Sequence, residues 1–104
     1  MLKSEEVLRI VDEEIESNFD ISNSHGVDLT KCLIAPVRQR YISSLDDSVT
    51  FELWTVLEER EDGNGYKIFY DENEKSFGLG MKGFKGDLIY LGYYGTFLET
   101  LKGM

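Results

Sequence analysis

The chain of 104 residues carries 20 acidic against 11 basic side chains, a formal charge of −9, with one histidine and one cysteine. That length holds one domain, expected over residues 1–104, with a core that needs no staples. The charge disfavours nucleic acid and anionic membrane, the lone Cys32 rules out an internal disulfide framework, and no apolar run nears the ~20 residues that cross a bilayer.

Met1 to Glu6 lack the apolar stretch of a signal peptide, so a cytoplasmic protein is expected. Ser4 is placed to cap a helix whose first turn holds Glu5 and Glu6, where acids complement the helix dipole. Val7, Val11, Ile15 and Phe19 recur every fourth residue, with Leu8 alongside, and predict an amphipathic helix lying on a sheet. Residues 20–30 are rich in Ser, Asn, Asp and Gly and read as a connecting loop.

From Lys31 onward, short apolar runs alternate with turn clusters, the pattern of an antiparallel meander. The first strand is expected from Lys31 to Ser43. Pro36 cannot donate to a ladder, so the strand should lie at an edge or bulge there. Ser44–Ser48 turns the chain into a second strand in which Val49, Phe51, Leu53 and Leu57 point inward and Glu52, Trp54, Val56 and Glu58 point the other way. Residues 61–65 and 71–75 are the next two turns, bounding a strand from Tyr66 to Tyr70. Phe77, Leu79 and Met81 alternate with Gly78 and Gly80 in a fourth strand.

The last strand, Asp87 to Tyr94, is apolar on both sides, with Leu88, Tyr90 and Tyr94 on one face and Ile89, Leu91 and Tyr93 on the other. It is therefore expected to be buried on both sides. Thr96 and Glu99 form a capping box that opens a short helix, stopped by Gly103. The fold class is thus α+β: an N-terminal amphipathic helix, a curved antiparallel meander of about five strands tending toward a partial barrel, and a short C-terminal helix.

Two motif look-alikes fail on context. Gly78-Leu79-Gly80-Met81-Lys82-Gly83 spells the dinucleotide fingerprint, but a polar turn precedes it and no helix comes after it, so the glycines serve a bulge or close chain packing. Asp62-Gly63-Asn64-Gly65 resembles a calcium loop, but Arg60 falls at the first ligand position and Asp71 at the twelfth. His25 and Cys32 lie in different segments and supply no nucleophile–base pair. The paired carboxylates sit in turns, where water keeps them ionised; Glu52, in mid-strand, is expected to pair with Arg38 or Arg40 across the ladder. No catalytic, metal or cofactor set is therefore expected.

Two functional classes fit these features. In the first, Trp54, Val56, Phe69, Ile89 and Tyr93 form an aromatic patch on the uncovered sheet face of a non-enzymatic protein-interaction module. Its partner would be a basic protein, as for an inhibitor or immunity-type protein, or a second copy in a homodimer. In the alternative, Arg38, Arg40, Tyr41 and Tyr90 line a pocket between sheet and helix, and the arginines grip an anionic small ligand.

Overall fold

A computed structural model describes residues 3–17, 32–46, 48–59, 65–83 and 86–102. The expected loop over 20–30, Phe19, residues 60–64 of the calcium-loop look-alike and the Gly103 stop lie outside them. The elements are helix α1 (Ser4–Ser17), strands β1 (Leu33–Ser43), β2 (Thr50–Glu58), β3 (Tyr66–Asp71), β4 (Ser76–Lys82) and β5 (Leu88–Gly95), and helix α2 (Phe97–Lys102). The architecture is α+β, as the sequence predicts.

The strands form a meander in the order β1-β2-β3-β4-β5 that closes into a small barrel. Four pairings are antiparallel. An odd number of alternating strands brings first and last together parallel, and the seam is short: Tyr41, Ile42 and Ser43 pair with Leu88, Ile89 and Tyr90. The sheet is therefore mixed.

Bulges decide which side chains enter the barrel, because one extra residue reverses the facing of everything beyond it. The β2–β3 register passes from Thr55↔Phe69 to Leu57↔Ile68, leaving Val56 as the extra residue. Leu57, expected inside with Leu53, is thereby turned outward beside Ile68. In β5 the pairs Gly80↔Tyr90, Leu79↔Gly92, Gly78↔Tyr93 and Phe77↔Gly95 leave Leu91 and Tyr94 as extras. Tyr90 and Tyr93, expected on opposite faces, thus both point inward. The β1 irregularity falls between Leu33 and Val37, around Pro36, where a missing donor demands it.

The inner layer is Tyr41, Leu53 and Phe69, with Phe51, Leu88 and Tyr90 packed on it. The outer layer joins Trp54, Val56, Leu57, Ile68, Tyr70, Phe77 and Leu79 to Val7 and Val11 of α1 and Phe97 and Leu101 of α2. Full burial of one such aliphatic or aromatic side chain contributes about 1.5–3 kcal/mol. Along α1 the apolar seam runs through Val7, Ile10, Val11 and Ile15; Leu8, expected beside it, is 40% exposed.

Ser4 does not cap α1. Its hydroxyl donates to the Pro36 carbonyl at 2.7 Å, tying the helix to the β1 bulge, while the Lys3 carbonyl accepts the first helical amides. The Thr96 hydroxyl accepts the Glu99 amide at 3.1 Å, as the capping box requires. The Phe97 amide donates to Glu14 of α1 at 3.1 Å. No helix among the described residues is long and apolar enough to cross a membrane.

Candidate functional site

Five strands leave a narrow barrel interior, and large rings fill it only where the facing wall has no side chains. Gly78 and Gly80 supply that wall. A Cβ on Gly80 would stand 2.5 Å from the Tyr41 ring, and one on Gly78 would stand 2.5 Å from Phe69 and 2.3 Å from the Gly92 carbonyl oxygen. The fingerprint-like glycines therefore permit close packing of rings. Tyr41 lies against Phe69 with centroids 5.3 Å apart. Thr55 donates to Gln39 at 2.6 Å and so is free to accept the Tyr41 hydroxyl at 2.5 Å. Burial, with the charge of Glu58 adding to it, pushes the Tyr41 hydroxyl up to about 12.

The aromatic layer continues from this floor to the surface. Tyr90 lies 5.6 Å from Phe69 and 4.5 Å from Phe51; Tyr93 lies 5.2 Å from Tyr90 at 68° and 6.0 Å from Phe69. Phe51 and Tyr90 are half-buried, and Tyr93 is 39% exposed. These rings form a mouth at the end of the barrel where β2 begins and β3 and β5 end. The expectation that β5 is buried on both sides is corrected: its second half is exposed, because the bulged Leu91 and Tyr94 have no partner on β4.

The mouth is electronegative. The Tyr93 hydroxyl donates to Asp71 at 2.6 Å, and the same buried carboxylate accepts the amides of Asn73 and Glu74. Burial, then that bond and the charges of Asp71 and Glu74, push the Tyr93 hydroxyl far above the ordinary phenol value. Burial and Asp71 raise Tyr90 in the same direction.

The other expected site residues are placed elsewhere. Trp54 and Val56 do not form an exposed patch with Tyr93: they belong to the outer layer that the helices cover, and Trp54 is 7% exposed. Phe69 is fully buried inside the barrel. Ile89 faces outward, half-buried, at a shallow groove of about 580 Å³ shared with Ile42, Leu45 and Asp87.

The four pocket candidates are divided by the barrel wall, with Arg38 and Arg40 outside and Tyr41 and Tyr90 inside. Each arginine has a carboxylate. Arg38 is ion-paired with Glu72 and lies 5.8 Å from the Trp54 ring centroid; the Trp54 indole donates to the same Glu72 at 3.3 Å. Arg40 meets Glu52 at 3.7 Å across the ladder, as expected for that register. Tyr41, Phe69, Tyr90 and Tyr93, which alternation divides between two candidate sites, are thus brought into one cluster. Phe51, assigned by alternation to the core, is its remaining member. An aromatic at the start of a strand beside a polar turn was the available signal.

A second groove of about 440 Å³ lies on the outer face between α1 and the β3–β4 turn, with Ile10, Tyr70 and Phe77 as its floor and Glu13, Glu14 and Lys75 at its rim. Among the described residues no group of three or more His, Cys, Asp or Glu side chains converges to hold a metal ion. Compared with known protein families, curated proteins and solved structures, the chain matches none.

Proposed function

We propose that the protein is a non-enzymatic protein-interaction module that receives its partner on the aromatic mouth of the barrel. The observation that carries this reading is the continuous ring contact from buried Phe69 through Tyr90 to exposed Tyr93. Large, rigid side chains held in place before binding lose little entropy on docking, and tyrosines in such settings dominate contact energetics. The reading includes a cytoplasmic setting, where a single thiol stays reduced. An inhibitor or immunity-type protein acting on a basic target is its most specific form, and the charge of −9 would speed that encounter.

Affinity capture from source-cell lysate by the wild-type chain and by Tyr93→Ser and Tyr90→Ser variants tests it, with folding checked by circular dichroism. A stoichiometric partner retained by the wild type and lost by both folded variants is expected. Equal capture by all three would remove the mouth from the assignment.

A further inference from the structure

We infer that the mouth seats a lysine or arginine side chain of a basic partner protein; this rests on the interaction-module reading and names the chemistry that it recognises. A cation is drawn to the face of an aromatic ring, and more strongly to an electron-rich one. Tyr93 is the most exposed ring of the cluster, and its hydroxyl is bound 2.6 Å from a buried carboxylate. Such a charge-assisted bond shifts electron density into the phenol ring. Asp71 is shielded from water and so is not screened as a surface acid would be. Tyr90, packed between Phe51 and Phe69, meets Tyr93 at 68° and 5.2 Å and holds that ring in place.

The charges of this barrel end are sorted by face. Arg38 is drawn to Glu72 on the outer wall, and Lys75 lines the outer groove with Glu13 and Glu14. Asp71 lies under the mouth, and exposed Glu74 sits beside it in the turn, its amide bound to the Asp71 carboxylate at 3.3 Å. A nucleic-acid strand stacking on the same rings would bring its phosphates against those acids, and a second copy of the chain would bring its own negative charge. Charge complementarity selects a basic protein.

The probe is an acetylated, amidated octapeptide of alternating Gly and Arg, titrated into isotopically labelled protein and followed by amide chemical shifts. A Gly-Gln octapeptide and an oligothymidylate of matched length serve as controls. The expected result is a saturable perturbation centred on Phe51, Asp71, Glu74, Tyr90 and Tyr93 by the Arg peptide alone. Affinity should fall about tenfold in Tyr93→Leu and about threefold in Glu74→Gln. Tyr93→Phe, which keeps the ring and removes the bond to Asp71, should fall between wild type and Tyr93→Leu, and decides the matter if the leucine variant does not fold. Perturbations centred on α1, equal binding of the Gln peptide, binding of the oligonucleotide in its place, or unchanged affinity in the Tyr93 variants would overturn the inference. A lysate partner lost by the Tyr93→Ser variant but undisturbed by the Arg peptide would overturn it too, while leaving the interaction-module reading standing.

Discussion

Glu14 of the first helix accepts the backbone amide of Phe97 at 3.1 Å, so the first helix caps the last across 83 residues of chain. The contact satisfies one of the amides that every helix start leaves without a partner, and a carboxylate there complements the helix dipole. Replacing Glu14 by Ala should lower stability by about 0.5–2 kcal/mol, the usual worth of a capping side chain. It should also speed hydrogen exchange at the Phe97 amide more than at amides of β3. Urea titration and exchange measured together check both; an unchanged Phe97 rate would mean that the amide is protected by something other than Glu14.

Gly78 and Gly80 should differ in how they can be rescued. An alanine Cβ at position 80 meets the Tyr41 ring at 2.5 Å and the Ile89 carbonyl oxygen at 2.9 Å, whereas one at position 78 meets the Gly92 carbonyl oxygen at 2.3 Å. Both changes overpack the barrel and should cost about 1–3 kcal/mol or more. Pairing Gly80→Ala with Tyr41→Leu should restore part of the loss. Pairing Gly78→Ala with Phe69→Leu should not, since backbone cannot step aside. Denaturation midpoints of the two single and two double variants make the comparison.

Alkaline pH should weaken the fold through its tyrosines. The Tyr41 hydroxyl is raised to about 12 by burial, so its neutral form is the one that the fold favours. Its contribution is complete below the ordinary phenol value near 10 and is lost as pH rises through about 12. Tyr93 is raised further in the same direction, by burial and by Asp71. Absorbance titration of the six tyrosines should show Tyr41 and Tyr93 ionising last, together with unfolding, and Tyr41→Phe should make the stability curve flatter between pH ~10 and ~12.

The single tryptophan reports on the outer wall. Glu72 receives both the Trp54 indole and Arg38, and all three are largely shielded from water. Glu72→Ala should destabilise by about 1–3 kcal/mol, because it leaves an indole N–H and a guanidinium with less than they need. It should also shift the Trp54 indole proton resonance. The combined Glu72→Ala, Trp54→Phe variant should lose less than the sum of the two, the signature of a shared contact.

Lys75 closes the β3–β4 turn with φ of 52°, a left-handed conformation that L residues resist and glycine accepts freely. Lys75→Gly should therefore stabilise the hairpin by up to ~1 kcal/mol, read as a raised thermal midpoint.

The elements were legible in the sequence because turn clusters and alternation are local signals. The facing of individual side chains was legible only up to the first bulge. Val56, Leu91 and Tyr94 carry no mark of being extra residues, yet each reverses the facing of the residues beyond it, and so Tyr90 and Tyr93 read as opposed when they adjoin. Pro36 was readable because its missing donor is a chemical fact of that residue alone. Arg38 and Arg40 were placed correctly on one face; that Glu72 would claim the first depended on a turn approaching β1 in space, which no local pattern encodes. Trp54 looked available because alternation does not say which face of the sheet the first helix covers, and it lies on the face that carries Trp54 and Val56.

The seam that joins Tyr41–Ser43 to Leu88–Tyr90 links segments 47 positions apart by three residue pairs. During synthesis the four antiparallel pairings can zip in turn as each strand emerges, but the seam waits for the fifth. Until then Phe51 and Tyr90 have not met, and a nascent chain carries the rings without the surface that they build. A partner that reads this end of the barrel would therefore ignore unfinished or truncated copies and engage only molecules whose last strand has docked.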